Sequence, residues 1–189
     1  DDYSEEKNCK NYLLNLNNYL NNINIQNVSS IKCIISSKWG HLTGNIRNAF
    51  TFVDGKYLLF VQHDFPFCKN IDICSIIQDM KNNIFLKHIR FNKRSNIKCG
   101  WDAQNNLFGD IIQSDKNNYI RTGSWSDNNH ITNYDYYNSI VLNECRDRKP
   151  MEKQLNKKIF NEKTHNKYGT YIYGNLNDSK AINHIDGKR

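Results

Sequence analysis

The run Tyr57-Leu58-Leu59-Phe60-Val61 constrains this chain more than any other segment. Five successive apolar or aromatic residues, entered from Asp54-Gly55 and left at Gln62-His63-Asp64, carry the length and turn signals of a strand. With no polar alternation, the strand is expected to lie centrally in a sheet covered on both faces. Pro66 cannot continue a ladder, so the polar triplet falls at the strand's carboxyl end. In open α/β sheets ligands bind outside the carboxyl ends of strands, and a carboxylate there can hold a divalent cation. An Asp after a strand also caps turns, and both readings of Asp64 stand on this pattern.

Around that strand the periodicities alternate. A helical stripe of Leu13, Leu14, Leu16, Leu20 and Ile23 runs through Cys9 to Ile25, and Ile31 to Ser36 reads as a buried strand. Asn45 to Phe52 reads as a short helix. Asp72 is placed to cap a helix with Ile73, Ile76, Ile77 and Met80 on one face. Strands are expected over Phe85 to Phe91, Tyr119 to Ser124 and Tyr171 to Tyr173, with helices over Tyr134 to Glu144 and from Pro150 to Phe160. Asp102 to Lys116 favours neither. Strand and helix in turn predict an α/β fold, with a mixed, mostly parallel sheet flanked by helices.

The 189 residues suit one domain spanning 1–189, and 12% aromatic residues offset an apolar fraction of only 38%. That aromatic load excludes a disordered chain. No stretch nears the 18 apolar residues of a membrane span, and the opening Asp1-Asp2-Tyr3 has no signal-peptide pattern. Cys9, Cys33, Cys68, Cys74, Cys99 and Cys145 form no CxxC pair, so buried thiols are expected rather than a disulfide framework. About one residue in six is Asn, read as compositional bias, and the sequons at Asn27 and Asn177 are what that bias yields by chance. The formal charge of +7 favours anionic partners. The Arg90, Lys93, Arg94, Lys98 group reads as a solvated face, and no RNP, zinc-finger or Gly-x-x-Gly signature accompanies it.

One ordered set of segments resembles a known family. Gly44-Asn45-Ile46-Arg47-Asn48-Ala49-Phe50, then the Tyr57 to Val61 strand, then an acidic strand end looks like the middle of a GT-A-type nucleotide-sugar glycosyltransferase. The stretch Arg121 to His130, containing Ser126-Asp127-Asn128-Asn129-His130, is similar to polar stretches of related transferases, and His184-Ile185-Asp186-Gly187 looks like the late His that completes their metal site. The resemblance implies a GT-A-like, Rossmann-like sheet. It implies a nucleotide-sugar donor with an unidentified acceptor, and Mn²⁺ or Mg²⁺ held by Asp64 and His184. It implies donor contacts from Arg47, Asn48 and Trp125, and Asp127 as general base with His130 beside it and Asp186 next. Trp39 and Trp101 are further candidates for stacking on a ring, though a Trp is commonly core. Gln62-His63 stand where the family has its first metal-binding acid, leaving Asp64 as the sole carboxylate of the motif. The family's first strand has no counterpart before Cys9, so the reading expects 1–189 to be the larger part of a longer domain. Two other functions remain open: a non-catalytic nucleotide- or carbohydrate-binding domain of the same fold, and a basic nucleic-acid-binding domain. Asp127 itself has a second reading, as the cap of a helix starting near Asn133.

Overall fold

The computed structural model describes residues 6–23, 28–36, 40–100, 106–159 and 165–185. In chain order they form α1 (Glu6–Asn22), α2 (His41–Phe50), β1 (Tyr57–Phe60), α3 (Ile73–Asn82), β2 (His88–Arg90), β3 (Leu107–Gln113), β4 (Asn118–Thr122) and β5 (His130–Asn133). Then come α4 (Tyr134–Tyr136), a π-helical segment (Tyr137–Val141), α5 (Leu142–Glu144), α6 (Met151–Ile159), α7 (His165–Tyr168) and β6 (Thr170–Tyr173). The six strands make one sheet in the order β1-β5-β2-β6-β4-β3.

The fold is mixed α/β, and the sheet is mostly antiparallel. Of its neighbouring pairs only β2 with β6 is parallel. The expectation of a mostly parallel sheet fails because two strands escape the strand-helix alternation. β3 lies in the segment that favoured neither periodicity, and β5 lies at the end of the polar stretch ahead of the Tyr134 helix. β5 inserts antiparallel between β1 and β2, while β3 and β4 close a hairpin. Nor is β1 central. It is an edge strand paired only with β5, with Leu59 at 44% and Val61 at 57% exposure. The stretch 31–36, expected as a buried strand, is not in the sheet, and Ile31 and Ile35 are exposed.

Apolar burial on both faces holds the sheet. Ile76 and Met80 of α3, with Ile89, Tyr119, Ile131 and Tyr171 of the strands, form one core. Ile46 and Phe50 of α2, Tyr137 and Val141 of the π segment, and Met151, Leu155 and Ile159 of α6 form the other, against Leu58 and Phe60. Each fully buried side chain of this size contributes about 1.5–3 kcal/mol. Asp72 caps α3 by accepting from the Ser75 amide, as its position predicts. Asp79 then ties α3 to the β3–β4 hairpin, accepting from Ser114 Oγ, Asn117 Nδ2 and Tyr119 Oη. Cys33, Cys68, Cys74, Cys99 and Cys145 are free thiols, though Cys68, Cys74 and Cys99 are exposed rather than buried. Among the described residues, no helix is long and apolar enough to cross a membrane.

Gly169 lets β6 reach the centre of the sheet. It joins α7 to β6 at φ 53°, and its carbonyl accepts from the amides of Lys87 and His88. A Cβ there would sit 2.3 Å from the Phe85 carbonyl oxygen, whereas one on Gly55 meets nothing closer than the Tyr57 carbonyl oxygen at 3.5 Å. Left-handed backbone costs a non-Gly residue about 1–2 kcal/mol before any clash. Gly169→Ala should therefore destabilise by more than about 2 kcal/mol, while Gly55→Ala stays within about 0.5 kcal/mol of the parent. Denaturant midpoints of the two variants check this, and equal midpoints would contradict the placement of β6.

Candidate functional site

Beyond Phe60 the chain turns tightly, the Phe65 amide donating to the Gln62 carbonyl. Two other segments hold this turn. Asn129, fully buried ahead of β5, accepts from the Gln62 amide at 2.8 Å and donates Nδ2 to the Phe65 carbonyl at 2.6 Å. Gln62 Nε2 donates to the Asp127 carbonyl at 2.7 Å, so Gln62 serves the scaffold and not a ligand. On the other side the 181–185 segment runs back along 64–68. Cys68 donates to the Ala181 carbonyl, Asn183 to that of Pro66 and Ile185 to that of Asp64, and Phe67 bridges Ile182.

This second contact brings together residues 120 positions apart. His184 Nε2 lies 3.0 Å from Asp64 Oδ2, and the His184 ring stacks on buried Phe65 at 4.6 Å and 13°. Lys93 Nζ stands 5.3 Å from the Phe65 ring centre. The pair keeps solvent access, with side-chain exposures of 36% for His184 and 17% for Asp64. At 3.0 Å His184 Nε2 and Asp64 Oδ2 are hydrogen-bonded directly to each other. No group of three or more His, Cys, Asp or Glu side chains suited to a metal occurs among the described residues.

A second carboxyl cluster lies on the far side of Gln62. Glu152, in the first turn of α6, accepts from Ser126 Oγ at 2.5 Å. Its neighbour is Asp127, whose carboxyl burial pushes up to about 7, reinforced by the charge and hydrogen bond of Glu152 and opposed by Lys93. Lys93 thus faces both Asp127 and the ring on which His184 stacks. Asp127 caps no helix: Asn133 does so for α4, accepting from the Tyr136 amide.

The other expected site residues are placed elsewhere. His130 and Trp125 are fully buried. His130 stacks on Phe60 at 4.6 Å and packs against Tyr137 at 5.7 Å, with Nδ1 2.6 Å from the Asn128 carbonyl, and burial lowers its pKa to about 4. The Trp125 indole packs on His88 at 5.1 Å, so its face is not open to a sugar ring. Arg47 bonds Asp147 and the carbonyls of Leu142 and Cys145, closing the carboxyl end of α5, and Asn48 donates to Ser36. Trp39, Trp101 and Asp186 lie outside the described residues. Sequence reasoning missed Glu152, Lys93 and Asn129. A Glu in a first helical turn reads as complementing the helix dipole, Lys93 as part of a solvated face, and Asn129 as one Asn among many.

No family model matches the chain, and neither the curated proteins nor the solved structures give a match.

The buried histidines give a pH test. His130 is neutral in the folded state down to about 4 and titrates near 6.5 when unfolded. Its stabilising contribution is complete above 6.5 and is lost as pH falls through about 4, by about 3 kcal/mol. His88, pushed well below its ordinary value by burial and then by His130 and Arg90, acts in the same direction. Asp127 works oppositely: raised in the fold, it stabilises below about 4 and loses that contribution as pH rises through about 7. The comparison is therefore relative. Between pH 7.5 and 4, His130→Phe should gain about 3 kcal/mol on the parent in denaturant titrations; parallel pH curves would contradict a neutral, buried His130.

Proposed function

We propose that this end of the sheet is a nucleotide-sugar transferase-like site, with Asp64 and His184 serving the donor diphosphate and Asp127 the acceptor. One observation carries the reading: Asp64 and His184, from the middle and the end of the chain, meet at 3.0 Å where two chemically unlike clusters flank Gln62. A central β1 no longer supports it, since β1 is an edge strand. The Arg47, Asn48 and Trp125 contacts to the donor are not part of the proposal, because those side chains are engaged in the scaffold.

A bound divalent cation would neutralise charge developing on the leaving diphosphate. Asp64 would hold it through Oδ2 and His184 through Nε2, with the imidazole plane set by its stacking on Phe65. Lys93, near both clusters, supplies further positive charge beside the diphosphate. In a direct displacement the acceptor oxygen bonds to the anomeric carbon as the bond from that carbon to the diphosphate oxygen breaks. The electron pair leaves with the diphosphate, and the hydroxyl proton passes to ionised Asp127. A carboxyl titrating near neutrality suits that task, holding an appreciable ionised fraction with enough basicity to take the proton. The alternative of a non-catalytic binding domain is favoured by Gln62, which holds the scaffold where the family has its first acid.

Thermal unfolding with nucleotide-diphosphate sugars, with and without Mn²⁺, tests the reading. With Mn²⁺ present, a donor at one hundred times its dissociation constant should add about 2.7 kcal/mol, and the same donor concentration without metal should add less. Asp64→Asn should remove the metal-dependent part. Asp127→Asn should leave donor binding intact and reduce transfer by about 10²- to 10⁴-fold. Identical stabilisation with and without metal would remove Asp64 and His184 as ligands. Binding without transfer by the parent would establish the binding-domain alternative.

A further inference from the structure

Alternation along three central strands sends a polar row into one of the two cores. Ile89, Ile131 and Tyr171 pack on the α3 side, so their neighbours His88, His130, Thr132 and Thr170 face the side of Trp125 and the π segment. The register sets His88 opposite both Thr132 and Thr170, and all four are fully buried. Thr132 is satisfied, its hydroxyl donating to the Lys87 carbonyl at 2.9 Å. The two histidines meet aromatic rings. His88 lies 4.5 Å from His130 and 5.1 Å from Trp125, while Tyr137 lies 5.7 Å from His130 and 6.5 Å from Trp125, ring centre to ring centre.

Among the described residues, both ring nitrogens of His88, His130 Nε2, Trp125 Nε1, the hydroxyls of Tyr136 and Tyr137, and Thr170 Oγ1 are buried and make no hydrogen bond. Their chemistry is complementary. His130 Nδ1 lies 2.6 Å from the Asn128 carbonyl, which can only accept, so Nδ1 carries the proton and Nε2 of the neutral ring is an acceptor. Trp125 Nε1 can only donate, a neutral His88 has one donor and one acceptor, and the hydroxyls do both. Buried polar atoms in folded proteins are almost all bonded, to protein or to ordered water, and one left unpaired costs its full desolvation. A water molecule brings two donors and two acceptors, so it can take the Trp125 N–H and return a proton to His130 Nε2, a link that the two side chains do not make directly. Tyr137 also opens the π-helical segment Tyr137–Val141, a rare geometry that recurs at functional sites.

We propose that this polar interior, between the central strands and the π segment, is a binding site for ordered water, with His130 Nε2 as its fixed acceptor, Trp125 Nε1 as its fixed donor and the Tyr137 hydroxyl as a third partner. The site goes beyond the transferase reading and does not depend on it. It also differs in kind from the Asp64 and His184 pair, which keeps solvent access.

Two measurements test the site. In a crystal structure at about 1.5 Å resolution, a water should lie within about 3.2 Å of His130 Nε2 and of at least one of Trp125 Nε1, Tyr137 Oη and a His88 ring nitrogen. Direct bonds among these groups with no water between them would overturn the proposal, as would a metal ion or a larger polar molecule on the same atoms. In solution, Tyr137→Phe and Thr170→Val each remove one hydroxyl at nearly constant shape. Hydroxyls bonded to ordered water make each variant lose a hydrogen bond, so its unfolding equilibrium constant should rise about two- to tenfold in denaturant titrations. An unpaired hydroxyl gives the opposite sign, because its removal sheds a desolvation cost, and a constant that stays level or falls would overturn the proposal. Where one variant does not fold the other decides, and where neither folds the crystal structure of the parent does.

Discussion

The buried amide of Asn129 is the interaction on which this end of the molecule depends. Its Oδ1 takes the Gln62 amide proton, its Nδ2 donates to the Phe65 carbonyl, and its own carbonyl receives the Phe91 amide. One fully buried residue thereby fixes the turn after β1, the exit of β2 and the entry of β5. Leaving any of these groups unpaired costs about 1–3 kcal/mol. A carboxylate cannot donate to Phe65, and an apolar side chain satisfies neither partner. Other buried Asn residues repeat the device. Asn92 donates to Asn96 and, through its carbonyl, receives the amides of Ala181 and Ile182, while Asn96 reaches the carbonyls of Tyr173 and Asn175. Asn92 thus anchors the segment that delivers His184 to Asp64. The asparagine content is more than compositional bias where these side chains are concerned.

Much of the fold could be read in the sequence where apolar periodicity was strong. The Tyr57 strand, the Asp72-capped helix, the Tyr134 to Glu144 helical stretch and the Tyr171 strand all exist close to their expected bounds. Two strands were hidden. β5 is short, and its first three residues His130, Ile131 and Thr132 are all buried, two of them polar, so neither alternation nor an apolar run announces it. β3 carries an irregular register between Leu107 and Ile111 with Gly109 at φ 90°, which breaks the period of two. Without them the connections looked like parallel crossovers. The apolar run of β1 reads as a sign of two-sided burial. Its Leu58 and Phe60 do face one core and its Tyr57 the other, yet Leu59 remains open at the sheet edge.

The candidate site was legible in its charged members and illegible in its support. Asp64, His184 and Asp127 stood out because a carboxylate or imidazole after a strand or in a polar stretch has few apolar explanations. Trp125 and His130 shared that stretch, but the alternation across β5 and the approach of the π segment turn them inward, where burial governs them. Glu152 and Lys93 join the site only through tertiary contact between α6, the loop after β2 and the turn after β1, a relation that no local pattern encodes.

The claim that Asp64 and His184 form the cation edge of one organised site is tested most directly by Mn²⁺ titration of the ¹⁵N-labelled and His-ring-labelled protein, read as paramagnetic broadening. The account predicts that the His184 ring and the amides of Asp64 and Ile185 broaden at the lowest metal concentrations, well before the buried rings of His88 and His130. Broadening centred on another carboxylate group, such as Glu144 with its lysine partners, or spread evenly over the acidic surface, would contradict it.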